Sequence, residues 1–388
     1  MDKKLSLDEI LTLTGEIARN ELAPRADEVD KTGKWPKKQI QALQKAGLGG
    51  LVIPVRLGGH GQGLLGVAKV CEIMGSHCAS TSMCFGMHLV ASAVLTAKAT
   101  PKQEEKFLIP IAQGKHLTTL SLSEPGTGSN FYIPEAKLVK KKNGDFILNG
   151  TKSFVTNGSH ADSYVVSAVI PDPNTHIGHF SCIVVPDQTD GIEWKETWEG
   201  IGMKGNASRK VEIKDLELPA ENLLGEQGDE IWYVFEVVTP YFVTAMAGTY
   251  LGIASAALQE AIQHLQHRSH THSGTSLSEQ PVLQHQLGVL WAKVERSRQL
   301  IYSAAAKGDA GKEGALLSIL SAKAEVSDCV VNVVNEVMTL MGGTAYAQEG
   351  KLSRHLRDAR ASHVMAPTTH QLRTWTGRAL LNLPLLGN

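Results

Sequence analysis

Residues 122–130, LSEPGTGSN, and residues 153–158, SFVTNG, set small hydroxyl side chains beside glycine and proline turns and short β-like runs. Such strings let main-chain N–H groups and hydroxyls face a flat polar ligand, because Gly and Pro bend the chain without covering its amides. The pair reads as a cofactor seat. Histidine offers a second chemistry: His264 and His267 share a helix face, and His270 and His272 follow closely. Glu260 is the one nearby carboxylate and no cysteine is close, so the run reads as a polar helix end rather than a metal site. Gly61-Gln-Gly63-Leu-Leu-Gly66 satisfies G-x-G-x-x-G, yet nothing around it supplies the strand, turn and helix that a dinucleotide fingerprint needs.

The elements that position these strings form three blocks. Apolar residues recur at helical spacing up to about Gln113, for example Ile10, Leu11, Leu13 and Ile17, with Pro36 and Pro54 as breaks. From Leu117 to about Leu224 short β-rich runs alternate with turns. Within them NGDFILNGTKSFVTNG reads as a hairpin, with Asn143-Gly144 and Asn149-Gly150 as candidate turns, and Pro171-Asp172-Pro173 as a further turn. From Glu230 helical spacing returns, with long candidates over 247–265, 282–307 and 315–341 and Gly342-Gly343 as a stop. The expected layout is α+β: a helical N-terminal domain (1–115), a central β-barrel-like domain (116–226) and a C-terminal four-helix bundle (227–388).

Composition narrows the function classes. With 388 residues, 42% of them hydrophobic, the chain can bury a large core. Lys plus Arg (38) balance Asp plus Glu (39), so no global field favours nucleic acid. No apolar run reads as a membrane span, and the charged start lacks the apolar core of a signal peptide, which predicts a cytoplasmic protein without membrane partners. The five cysteines never come as Cys-x-x-Cys and read as buried or free thiols.

In this order and spacing the two opening strings resemble the flavin-binding segments of the acyl-CoA dehydrogenase family. QALQKAGLGGLVIPVRLGGHG, IGMKGNASRKVEIKDLELPAENLLGEQGDE and LMGGTAYAQEGKLSRHLRDARASHV extend the resemblance over nearly the whole chain. It implies the same three-domain fold and FAD as cofactor. Leu122 and Ser123 then correspond to hydrogen-bonding partners of the flavin ring, and Gly128 and Ser129 to the approach toward pyrophosphate and substrate. Phe154 stands where the family has tryptophan on the flavin face, and Thr156 at the ring edge. Arg268 matches an arginine reaching the cofactor diphosphate of a neighbouring subunit, and Gly342 and Gly343 match the backbone near that cofactor. Thr368 matches a hydroxyl near the cofactor, and His370 replaces the usual amide. The implied partners are a small-molecule substrate, an acyl-CoA, and an electron-transfer flavoprotein or flavin reductase; the implied assembly is a homodimer or homotetramer.

The substrate side departs from the family pattern. Thioester dehydrogenation removes an α-proton while hydride leaves the β-carbon, so a base must face the flavin. The family glutamate falls at Ala366, in Met365-Ala366-Pro367-Thr368, and the following proline removes a backbone N–H. In a minority of the family the glutamate lies on the first bundle helix, where this chain has Phe242 and Val243, and the arginine usual there is missing. Glu236, two turns earlier, is the nearest carboxylate; His88, Tyr241 and His370 are other groups that the sequence does not place. The expected function is an acyl-CoA dehydrogenase with a displaced or absent base. The alternatives are a flavin monooxygenase or oxidase on the same fold, and a non-catalytic flavin-binding protein.

Overall fold

The computed structural model describes residues 4–171, 180–197, 199–226, 232–271 and 274–386. His272, part of the Pro171-Asp172-Pro173 turn, and much of GEQGDE lie outside them. Helices come first: α1 (Leu7–Ile17), α2 (Ala26–Thr32), α3 (Lys37–Lys45), α4 (Leu64–His77), α5 (Ala79–Ala97) and the short α6 (Pro101–Gln103) and α7 (Ile109–Ala112). Strands follow: β1 (Thr118–Ser121), β2 (Lys137–Lys140), β3 (Phe146–Val155), β4 (Ser163–Ala168), β5 (Ser181–Pro186), β6 (Ile192–Trp194), β7 (Arg209–Leu218) and β8 (Leu223–Leu224). After a π-helical turn, Tyr233–Val238, come α8 (Thr239–His267), α9 (Pro281–Asp309), α10 (Ala315–Met341), α11 (Lys351–Val364) and α12 (Thr369–Leu380). Helix gives way to strand between Ala112 and Thr118.

Local chemistry accounts for the ends of these elements. Ser6 and Glu9 form a capping box that starts α1, and Thr100 with Gln103 does the same for α6. Gly342, at φ 72°, stops α10. The G-x-G-x-x-G string opens α4, where the Asp309 carboxylate accepts from the Leu64 N–H at 2.6 Å and the Leu65 N–H at 3.0 Å. A side chain at Gly63 would strike that carboxylate, so the glycine serves helix capping.

The strands form two four-stranded sheets, β1-β4-β5-β8 and β2-β3-β7-β6, with β1 parallel to β4. Asn143-Gly144 turns between β2 and β3 as expected. Asn149-Gly150 does not turn: it lies inside β3 at a register shift against β7. Asn149 instead exchanges hydrogen bonds with Asp215, and a Cβ on Gly150 would fall 2.5 Å from the Ala136 Cβ. The pair is a bulge that admits a neighbouring backbone.

The N-terminal helices and the bundle pack through α4 against α8, and small residues set the approach. Cβ atoms on Gly248 and Gly252 would lie 2.3 Å from the Ala68 carbonyl and 2.2 Å from the Glu72 carbonyl. α5 is apolar and small-residued all round because it is enclosed on every side. Contrary to the sequence reading, α5 and the Tyr233–His267 helix are both long and apolar enough to cross a membrane. Their apolar windows are 94% and 78% buried inside the fold, which accounts for that composition by core packing. All five cysteines are buried and none forms a disulfide, and burial pushes Cys71 up to about 12.

Candidate functional site

The two opening strings meet. The Ser153 N–H donates to the Ser123 carbonyl at 2.8 Å, so the turn after β1 and the end of β3 run side by side. Asn157 ties the second string to the helical domain: its Oδ1 accepts from Trp35 Nε1 at 2.8 Å and its Nδ2 donates to the Cys84 carbonyl at 2.9 Å. The Thr156 carbonyl accepts from Thr119 Oγ1, and its hydroxyl lies 3.2 Å from Ser208 Oγ. Phe154 adopts a left-handed backbone, φ 54°, and is 68% exposed.

Beneath the turn lies a buried ion pair. Lys152 Nζ reaches Glu124 Oε1 at 2.5 Å and donates to Ser167 Oγ and the Leu122 carbonyl. Burial pulls the Lys152 ammonium down and Glu124 opposes that shift. Glu124 also accepts from the Glu135 and Ala136 N–H groups, pinning both ends of the loop that holds Gly128 and Ser129. Gly128 has φ 55° and nothing within 4 Å of an added Cβ, which leaves its backbone open to a ligand.

These strings form one wall of a cavity of about 540 Å³. Leu122, Ser123, Gly128, Ser129, Phe154 and Thr156 all line it. Facing them are Met83 and Met87 of α5, Val238, Thr239 and Phe242, and the end of α11 through Met365, Ala366 and Pro367. The facing wall is tied from behind: the Ser362 carbonyl accepts from Lys323 Nζ at 2.7 Å and from Ser327 Oγ, and Lys323 also reaches the Pro367 carbonyl. Burial brings Lys323 down to about 7. Near the exposed Ile201, Arg357 pairs with Asp30 and donates to the Ile201 carbonyl, and the buried Asp358 accepts from the Met203 N–H. Burial raises Asp358 to about 6.

Among the described residues that line the cavity, no carboxylate is free. Glu124 is held by Lys152, and Ala366 lies at the family glutamate position. Glu236 does not supply the missing acid. It is exposed and outside the lining, whereas Val243 is fully buried. The expected two-turn spacing assumed an α-helix, but Glu236 sits in the π-helical turn, whose i→i+5 bonds shift the register. His88 is also occupied: Nδ1 accepts from the Thr118 N–H and Nε2 lies 3.1 Å from the Gly49 carbonyl, and burial lowers it to about 4. Burial and Asp309 raise Tyr241 to about 12, and it does not line the cavity.

The remaining expected cofactor residues lie elsewhere. Arg268, Gly342 and Gly343 line a separate groove of about 410 Å³ together with His264 and His270. No group of three potential metal ligands occurs among the described residues. Thr368 caps α12 by accepting from the Gln371 N–H, and His370 is exposed in the first turn; neither lines the cavity. The sequence reading missed Thr239, the two methionines, and the Glu124–Lys152 pair. The signal for that pair was present, since both residues belong to or adjoin the two strings.

The residues present fit a flavin. An exposed aromatic ring, paired hydroxyls and an open glycine backbone line one side of a cavity that can take a flat ring, and the groove at Arg268 offers a cation for phosphate. Family profiles described as acyl-CoA dehydrogenase N-terminal, middle and C-terminal domains match residues 7–115, 119–216 and 241–381. The cyclohex-1-ene-1-carbonyl-CoA dehydrogenase of Geobacter metallireducens is 31% identical over 98% of both chains. The enzyme of that name from Syntrophus aciditrophicus is 32% identical over 96% of this chain and 89% of its own. The butyryl-CoA dehydrogenase structure from Megasphaera elsdenii superposes with a TM-score of 0.91 at 28% identity, covering 98% of this chain and all of that one. The chain belongs to the acyl-CoA dehydrogenase family and is an FAD-dependent oxidoreductase of that kind.

Proposed function

We propose that the protein oxidises an acyl thioester to its 2,3-enoyl form without a carboxylate at the usual place. The carrying observation is the asymmetry of the cavity: hydroxyls and backbone from the two strings on one side, and on the other Ala366, apolar side chains and the Arg357 and Arg360 side chains, with no carboxylate among the described residues there. FAD, when bound, supplies the acceptor for the hydride that leaves the β-carbon. Leu122, Ser123, Phe154 and Thr156 would hold its ring, while Arg268, Gly342 and Gly343 would hold the diphosphate end of a second copy's cofactor in a homodimer or homotetramer. The exposed Ile201 and Phe154 mark the mouth, through which water takes the α-proton. Water is a weak base, so this arrangement favours substrates whose α-proton is acidified beyond what the thioester carbonyl alone provides. Electrons then pass to an electron-transfer flavoprotein or related acceptor.

A flavin monooxygenase or oxidase is the second reading, favoured by the same lack of a free carboxylate, since oxygen chemistry at reduced flavin needs no α-proton base. Mixing the purified flavoprotein with a panel of acyl-CoAs without oxygen separates the two. Bleaching of the oxidised flavin supports the dehydrogenase. No bleaching by any thioester, with oxygen uptake once a reductase supplies electrons, overturns it for the second reading.

A further inference from the structure

Thr239 is the first residue of α8, directly after the π-helical turn, and it lines the cavity with Val238 and Phe242. Its side chain is 1% exposed, yet Oγ1 has no hydrogen-bond partner. Further along the same helix Thr249 donates to the Ala245 carbonyl and Ser255 to the Leu251 carbonyl, each four residues back, whereas the buried Thr244 hydroxyl, like that of Thr239, has no partner. Thr239 follows a turn of another pitch, and its own N–H runs five residues back to the Val234 carbonyl. What sets Thr239 apart from Thr244 is that it lines the cavity, so its unpartnered hydroxyl borders space that a ligand can occupy. Buried hydroxyls without partners are uncommon because the lost hydration is not replaced, so a ligand atom is the expected partner.

Position along the helix says which part of a ligand is within reach. Thr239 precedes Val243 by four residues, one turn along the same face and about 6 Å by helix rise. Phe242, which lines the cavity, and the buried Val243 stand at the position where a minority of the family carries a helix-borne base, and Met83 and Met87 line the same cavity. Thr239 therefore adds an unpartnered hydroxyl to the apolar stretch formed by Met83, Met87, Val238 and Phe242.

Resting on the thioester reading above, we propose that Thr239 Oγ1 hydrogen-bonds an oxygen carried by the acyl group, so that hydroxyacyl or oxoacyl thioesters are preferred over plain alkyl ones. The test is the Thr239→Val variant, which keeps the shape and removes the hydroxyl. Anaerobic flavin reduction and flavin-absorbance titration are run with an oxygen-bearing acyl-CoA and its unsubstituted counterpart. The preference for the oxygen-bearing substrate is expected to fall about tenfold, as a lost hydrogen bond to a buried group predicts. The substrate-free variant should melt no lower than wild type, because the hydroxyl has no protein partner to lose.

An unchanged preference overturns the inference. So does an equal loss for both substrates, which would place the hydroxyl against the shared CoA portion. Failure of the underlying reading looks different: no thioester would perturb or bleach the wild-type flavin, and both statements would fall together. Bleaching in wild type with an unchanged preference in the variant overturns only the role of Thr239.

Discussion

On the β-domain side of the cavity the polar groups are pinned: Lys152 to Glu124, Ser167 and Leu122, Ser153 to Ser123, Asn157 to Trp35 and Cys84. On the helical side the lining includes Met83, Met87, Val238, Phe242, Met365 and Ala366, with the Thr239 hydroxyl unpaired among them and the Arg357 and Arg360 side chains from α11. A wall held by paired charges and hydrogen bonds fixes one geometry, which suits a cofactor that must sit the same way in every turnover. The largely apolar opposite wall is tied from behind by Lys323 to the Ser362 and Pro367 carbonyls and at its rim by Arg357 to Asp30 and the Ile201 carbonyl, so its apolar positions can change without disturbing the seat opposite. On the proposed reading the two walls would separate cofactor binding from substrate choice.

The largest expected effect comes from giving the helical wall what it lacks. Ala366→Glu places a carboxylate at the family's usual position, and a positioned base is worth about 100- to 10,000-fold. Flavin reduction by an acyl-CoA, followed by stopped flow, should accelerate on that scale with FAD content unchanged. An unchanged or slower rate would mean that the wall is not short of a base alone. Next is a break in the opposite wall. Glu124→Ala strands the Lys152 ammonium, which has no exposed side-chain surface, and costs about 3–5 kcal/mol with loss of FAD on gel filtration. The double variant Glu124→Gln with Lys152→Met removes both charges and should recover most of that stability, which thermal melts can read.

How much of this contrast could be read beforehand follows from which forces are local. The two strings were legible because turn chemistry and hydroxyl spacing are written in adjacent residues. Asn149-Gly150 carried the same turn signal and became a bulge, because Ala136 and Asp215 on other strands decide its fate. α5 gave little amphipathic pattern since no face of it meets water. Glu236 was placed on the wrong face because a 3.6-residue period cannot register a π-helical turn. Arg354 with Asp27 and Arg357 with Asp30 join residues 327 apart, beyond any window of local reading. Thr239 was invisible for the same reason, as an unpaired hydroxyl is defined by what the rest of the fold fails to bring to it.

A smaller effect tests the mouth where the two walls meet. Asp358 accepts from the Met203 N–H, and burial raises its pKa to about 6 from the ordinary 3.8 of an aspartate. An acid with a raised folded value binds more protons when folded, so its ionisation lowers stability as pH rises through that interval and the full cost is present above it. Asp358→Asn keeps an acceptor for the N–H and removes the charge. Melts should show a gain of about 1–3 kcal/mol at pH 7.5 that vanishes near pH 4. A gain equal at both pH values would show that the charge is not its source.

The smallest expected effect sharpens the comparison most directly. Ser123 pairs with Ser153 through its backbone carbonyl, so Ser123→Ala leaves the joined strings intact and removes only the hydroxyl offered to the cofactor. One neutral hydrogen bond is worth about 1 kcal/mol, or about fivefold in FAD dissociation measured by flavin fluorescence. Val364→Ala on the helical wall lines the same cavity and is 63% exposed, and it should leave FAD dissociation unchanged while altering affinity for acyl-CoA. If both substitutions weakened FAD equally, the division of labour between the walls would fail even with every other assignment intact. A fivefold effect confined to Ser123 would place cofactor retention on the β-domain side and leave the helical side free to diverge in substrate.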